Sequence, residues 1–291
     1  MAVDNTDLYP EEWVTKLQER LDHPTNWKEV CRVEYTDMRV LINPYMSTVP
    51  SVQSHTRGTA YTHQTYAVTT DSITISSSAI LPMFVDRADM AQTPYARQME
   101  LADLQGQLIN EYIETQMLAA HATWTNVGIT GGVITSGDDT AITVSANNID
   151  DIIRGIKRII RVANGQSLMT RNGVFIIWRA ADFELLEAFV QANGFNMADM
   201  ALKDGTTPGL RYMGVDHYVS NDHASGGHLF AGVKKLFHLG IVKSTYGGIT
   251  IDEEPATADG PLSGTGISSR LDWAFKTWTN VLPLLFDVRV T

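Results

Sequence analysis

The apolar and polar positions of this chain change rhythm along its length. Over residues 98–118, QMELADLQGQLINEYIETQML, apolar positions recur at helical spacing. Leu101, Leu104, Leu108, Tyr112 and Ala119 fall on one stripe, with Ile109, Ile113 and Met117 beside it. Glu100, Asp103, Gln107, Asn110 and Glu114 lie on the opposite face. Thr93-Pro94 supplies an N-cap and a proline at the first helical position; residues 89–92 offer a competing capping box. The pattern predicts one rod from Pro94 to about His121, roughly 40 Å long at 1.5 Å per residue. Gly106 costs it about 1 kcal/mol relative to alanine. Length alone does not separate such a rod from the core helix of an ordinary α+β domain.

Before the rod the rhythm has period two. Residues 46–85 are rich in Ser, Thr, Tyr and Val, alternate at Tyr66/Val68 and Ile73/Ile75, and predict a β-hairpin turning at Thr69-Thr70-Asp71-Ser72. An isolated two-stranded ribbon is marginal in water, and this one has few apolar positions to bury. Its cover is expected from another copy of the chain. Residues 1–45 predict a short helix over about 10–21 and an arm with few apolar anchors, in which Trp13 and Trp27 read as exposed. Arms of this kind are disordered or lie on a neighbour.

After the rod comes a Gly/Thr-rich connector, residues 128–146. A second amphipathic helix follows, with Ile149, Ile152, Ile153, Ile156, Ile159 and Ile160 on one face and Asn164-Gly165 at its end. GVFIIW (173–178) predicts a buried strand, 181–192 a helix, and GVDHYVS (214–220) another strand. Strands follow around 227–242, then the acidic loop DEEPATADGPLSGTG (252–266). The chain closes on two alternating strands, with Leu271, Trp273 and Phe275 sharing a face of the first and Leu284, Phe286, Val288 and Val290 a face of the second.

With 291 residues the chain forms one large domain or two ordinary ones. Its apolar run 281–286 contains Pro283 and, like the others in the sequence, is too short to span a bilayer. The first residues are acidic where a signal peptide is basic and then apolar, so cytosolic synthesis is expected. The single Cys31 supports neither an internal disulfide nor a zinc motif. A net charge of −11 argues against gripping phosphates as the main task, and suits a protein that lies near packed DNA without adhering to it.

Chemistry is thinly signalled. The P-loop, the dinucleotide glycine motif, GxSxG, HExxH and CxxC are all absent from the sequence. Asp216, His217, Asp222, His223 and His228 are suitable metal-ligand types, but Asn/Asp/His/Gly runs are also common turn material. No catalytic, cofactor or metal residue is assigned. Arg154, Lys157, Arg158 and Arg161 share a helix face, where Asp150 and Asp151 can pair with Arg154 only. That stripe is either a solvated face or a contact for another copy. Asp252, Glu253, Glu254 and Asp259 match no calcium loop and read as solvated or as the partner of the stripe.

The order of parts carries a resemblance. YTHQTYAVTTDSITISSSAILPMFVDRADMAQT, the passage AILPMFVDRADMAQTPYARQMELADLQGQLINEYIETQML, then GVFIIWRAADFELLEAF and GLRYMGVDHYVSND follow one another as in the major capsid (coat) proteins of tailed bacteriophages. That α+β fold, the Hong Kong 97 type, is shared with encapsulin nanocompartments. The resemblance implies an N-terminal arm at 1–45, an extended loop at 46–85, and a spine helix at 94–121. It implies a peripheral domain of 86–147 with 233–281, and an axial domain of 148–232 with 282–291. It further implies a structural, non-enzymatic subunit of hexamers and pentamers that tile an icosahedral head around double-stranded DNA, without sequence-specific DNA binding, cofactor or membrane.

Candidate contacts between copies are Arg154, Lys157, Arg158, Arg161, Tyr66, Thr69, Asp71, Trp13 and Trp27. The type member cross-links through a lysine of the extended loop; this chain has no lysine between Lys28 and Lys157, so non-covalent contacts or a cementing protein are expected. The chain starts at Met1 without a long leading segment, so a separate scaffolding protein is expected, along with a portal. The implied location is the virion, after synthesis in the host bacterial cytoplasm. The alternatives are an encapsulin-like shell around a cargo enzyme, or a metal-dependent hydrolase built on the Asp216–His228 cluster.

Overall fold

The computed structural model describes residues 25–86, 95–192, 210–221, 227–245, 249–254 and 264–291. The predicted arm helix, Trp13, Asp222, His223 and Asp259 lie outside them.

The expected rod is present as helix α2, Tyr95–Ala119, continued by a short 3-10 turn, Ala120–Thr123. Its buried face differs from the one the apolar stripe predicts. Gln105, Ile113, Glu114, Met117 and Leu118 are buried, whereas Tyr112 and Ala119 are exposed and Leu104 and Leu108 half-buried. The reason is polar. Glu114 accepts the Trp27 backbone N–H (2.8 Å) and the Asn26 side-chain amide (3.1 Å), so the rod turns a carboxylate inward. Gln105 accepts from Ser269 Oγ (2.5 Å). Most buried polar atoms in proteins are bonded in this way.

Those donors belong to the segment before the rod. Helix α1, Trp27–Val30, leads into strand β1, Arg32–Thr36, and Trp27, Val30 and Cys31 are 0–1% exposed. The sequence reading of Trp27 as exposed is therefore corrected, because α1 packs against α2 and Trp27 joins the main core. Strand β1 pairs in parallel with β11, Phe237–Val242, so this part of the arm completes a body sheet.

The hairpin is also rearranged. Strands β2 (Val40–Thr48) and β3 (Ala67–Thr74) form the ribbon, joined by residues 49–66. The predicted turn at 69–72 is mid-strand, with Thr69 opposite Tyr45 and Asp71 opposite Asn43. Polarity suggested a turn there because one ribbon face meets solvent. The next strand, β4 (Ser77–Asp86), leaves the ribbon and pairs over ten residues with β13 (Gly264–Thr277).

Two larger sheets make the body. The first orders β1-β11-β13 and then β12 (Ile249–Glu254), with β4 on the other edge of β13. Asp252, Glu253 and Glu254 thus stand on a strand and not in a loop. The second has seven strands, in the order β6-β5-β14-β10-β7-β9-β8. Here β5 is Thr125–Thr130, β6 Val133–Ser136, β7 Val174–Trp178, β8 Leu210–Tyr212, β9 Val215–Val219, β10 His228–Val233 and β14 Leu285–Arg289. The connector after the rod thus contains a hairpin, β5–β6, turning on Gly131 and Gly132 at φ +55° and +78°, backbone that glycine adopts readily.

Strand β7 is buried along its whole length between antiparallel β10 and parallel β9, as expected of a continuous apolar run. Helix α3, Ile149–Val162, buries the six predicted isoleucines; Asn164 at φ +58° ends it, and the Gly165 N–H reaches Ile160 O at 2.8 Å. Gly155 lets it approach β6, since a Cβ there would sit 2.8 Å from Ile134. Short α4, Gln166–Asn172, and α5, Ala180–Ala192, follow. The two sheets share one core. Trp124 stands edge-on to Phe175 and Phe230 of the seven-stranded sheet and to Phe237 of the other, with centroids 5.2–6.2 Å apart. Among the described residues no helix is long and apolar enough to cross a membrane.

Candidate intersubunit surface

Among the described residues, the exposed large apolar side chains concentrate on the ribbon and its connecting segment. Along β2 the exposed positions alternate, so Val40, Ile42 and Met46 share a face, 45–66% exposed, with Val68 (57%) on the partner strand. Tyr61, Tyr66, Val49 and Val52 extend it along the connecting segment, each at least 65% exposed. Isolated exposed hydrophobics are ordinary, but a contiguous series on a two-stranded ribbon marks a surface awaiting a partner. Only the root is covered within one copy. Ile73 and Ile75 are 3% and 4% exposed, packing with Leu41 against Ala274 and Trp278. Asp71 ties the same root to the body, 3.3 Å from Lys276 Nζ and accepting from the Thr279 hydroxyl (3.2 Å). Desolvation, the largest single effect, pushes its carboxyl pKa up, but the Thr279 and Lys276 bonds and the Lys276 charge together outweigh it and leave the pKa lowered. Tyr66 is exposed just before β3, and Thr69 is exposed within it.

The basic stripe is largely used within the subunit. Arg154 pairs with Asp150 (2.8 Å) and Asp151 (2.5 Å). Lys157 Nζ donates to Met213 O (2.5 Å), and Arg158 donates to the Ile134 carbonyl of β6. Among the described residues Arg161 reaches only Gln166 Oε1 (3.2 Å), which makes it the member of the stripe best placed to meet another molecule. Arg158→Glu should therefore lower the unfolding free energy by about 1.5–3 kcal/mol for a lost charge-assisted bond, read as a lower urea midpoint. Arg161→Glu should stay within about 0.5 kcal/mol. Equal midpoints for the two variants would show that the Ile134 contact carries no weight.

Among the described residues, the metal-ligand candidates Asp216, His217 and His228 do not come together; Asp222 and His223 lie outside them. Asp216 lies 2.8 Å from Lys234 Nζ and 3.6 Å from Arg211. His217 is buried, accepts the Trp178 indole N–H at Nδ1 (2.8 Å), and turns Nε2 towards Tyr212 O (3.3 Å). Indole nitrogen is donor-only, so the proton of the neutral ring sits on Nε2. Burial drives the His217 pKa down to about 4. Unfolded, it titrates near 6.5. Its contribution to stability is thus full above about pH 6.5 and is lost as pH falls through the window to about 4. The His217 imidazole should stay neutral at pH 5 by NMR; a protonated ring there would contradict its assigned bonding.

A different trio does meet. One ligand atom from each of His121, His228 and Asp287 lies within 4.8 Å of the others. His228 Nδ1 bonds Asp287 Oδ1 (2.8 Å), and the His121 and His228 rings approach to 4.6 Å. Arg289 Nη1 stands 3.1 Å from His228 Nε2, placing a guanidinium where a cation would have to bind. The trio joins the end of the rod to β10 and β14. Sequence spacing could not show it, because its members are distant along the chain.

No family model and no curated protein matches this chain. Solved structures do. The capsid structure of cyanophage P-SCSP1u is 13% identical, with 100% of this chain and 97% of that one covered at a TM-score of 0.62. A chain of Mycobacterium phage Che8 is 15% identical, with 99% and 98% covered at 0.66. The capsid of a native GTA particle is 11% identical, with 99% and 97% covered at 0.65. Arm, ribbon, rod and both sheets fall within these whole-chain likenesses, and the chain therefore has the α+β fold of phage capsid proteins expected from its sequence as the Hong Kong 97 type.

Proposed function

We propose that this chain is the major subunit of a phage head, assembling as hexamers and pentamers into a closed icosahedral shell around double-stranded DNA. The observation that carries the reading is the ribbon, which leaves Val40, Ile42, Met46 and Val68 uncovered on a chain whose whole length superposes on capsid proteins. A shell built this way sums many modest, symmetry-related contacts. The subunit acts by geometry, without an enzymatic step or cofactor, and the virion is its place of action after synthesis in the bacterial cytoplasm. Arm, extended loop, peripheral domain and axial domain keep their proposed roles. The β5–β6 hairpin joins the seven-stranded axial sheet, and β1 and β4 join the peripheral one. Scaffolding, portal and cementing proteins are its proposed companions. Electron microscopy of the purified full chain should show closed particles of uniform size. Double-stranded DNA inside particles from infected cells supports a phage head; an enclosed protein cargo would instead support a nanocompartment. A chain that stays monomeric at high concentration overturns both.

A further inference from the structure

We propose that a cationic pocket at the root of the ribbon receives the acidic run Asp252-Glu253-Glu254 of a second copy, in a head-to-tail contact. The inference rests on the assembly reading and names one of its contacts. The pocket, of about 430 Å³, lies where β1, β2, α4 and the residues after β13 converge. Arg32, Arg171 and Lys235 line it against one carboxylate, Glu34, which already pairs with Arg32 at 3.0 Å. Lys235 Nζ donates to the carbonyls of Lys28 (2.6 Å) and Cys31 (3.1 Å), and Arg171 Nε to Asn172 Oδ1 (3.3 Å). Neither forms an ion pair among the described residues.

Two buried rings complete the lining. Trp278 is 5% exposed with its indole N–H unbonded, and His238 is 8% exposed with Nδ1 unbonded, the nearest Glu34 oxygen being 3.8 Å away. An indole N–H can only donate, and a buried donor without an acceptor is destabilising. His238 is held neutral, its pKa lowered to about 4 by burial and then by the positive charge of Arg32. With the rings neutral and buried, the charged lining is Arg32, Arg171 and Lys235 against Glu34 alone, and a carboxylate at the mouth balances it.

Charge complementarity selects the occupant. In a chain of net charge −11, Asp252-Glu253-Glu254 is the one run of three consecutive acids. It stands on β12 opposite the start of β13, with Glu253 facing Thr265, whereas Trp278 directly follows the last residue of β13. Trp278 lies thirteen positions beyond Thr265 along the strand, roughly 43 Å at 3.3 Å per residue. A subunit's own run therefore cannot reach its own pocket, but a neighbour's can. Joining opposite ends of one long strand is a heterologous contact, the kind that closes into rings.

Three full-length chains test it: wild type, Arg171→Glu, and Arg171→Glu combined with Glu253→Arg and Glu254→Arg. Arg171 is exposed and among the described residues binds only Asn172, so the single variant should unfold at the wild-type temperature while its yield of shells falls at least tenfold. The combined variant should recover most of that yield. Single-variant shells at wild-type yield overturn the contact while leaving the assembly reading intact. Loss without recovery overturns the choice of this run, in favour of phosphate or another acid. A wild-type chain that forms no shells overturns the assembly reading and this contact with it.

Discussion

A chain in which residues 49–66 are replaced by an Asn-Gly turn between Thr48 and Ala67 should fold normally and build no closed shells. Thr48 and Ala67 are the last paired residues of the ribbon, and Asn-Gly supplies the positive backbone angles that a tight hairpin needs. The removed segment puts almost nothing into the core; Val49, Val52, Tyr61 and Tyr66 are 65% exposed or more, and the root contacts of Leu41, Ile73 and Ile75 remain. The unfolding midpoint should therefore stay at the wild-type value, since surface changes away from packed features move stability little. Assembly should fail because the removed apolar surface is what the proposed neighbour covers. Sedimentation velocity and negative-stain images read both halves of the expectation on one sample. Normal particles from the shortened chain would show that the ribbon tip is ornamental.

What the sequence made legible followed from periodicity. The rod, the isoleucine helix, VFIIW and the terminal strands each rest on a repeat of side chains that a single element must bury, and each stands close to its expected place. That the ribbon leaves an apolar face exposed within one chain was also legible, because Ser/Thr-rich alternation without a core is visible in residue types alone. Pairings were not. That β4 belongs to β13 and β1 to β11 depends on residues up to about two hundred positions apart. Polar residues misled for a common reason, in that their location depends on a partner. Asp71 suggested a turn and is held by Lys276 and Thr279. Lys157 and Arg158 suggested a free cationic face and are spent on backbone carbonyls.

Glu114 is the sharpest of these cases and supports the largest expected loss of stability. The sequence placed it on the polar side of the rod, yet it is fully buried, and its two oxygens accept the Trp27 N–H and the Asn26 amide. Asn26 in turn donates to Val219 O at 3.2 Å, so the Glu114 carboxylate fastens the start of the described chain to the rod while the Asn26 amide also ties it to the seven-stranded sheet. Glu114→Ala strands two donors in the interior and opens a cavity, an expected cost of about 3–5 kcal/mol. Glu114→Gln keeps one acceptor and should cost about half as much. Cys31 reports the local event. It is fully buried, its thiol pKa raised well above the usual value by burial first and by Glu114 second, against Lys235. A thiolate is the reactive species, so a thiol reagent should label the wild-type chain slowly. The alanine variant should label at urea concentrations well below its global transition, as residues 26–36 lift away while the sheets hold. Labelling that merely tracks global unfolding in both chains would mean that Glu114 secures the whole fold and has no special hold on the segment before the rod.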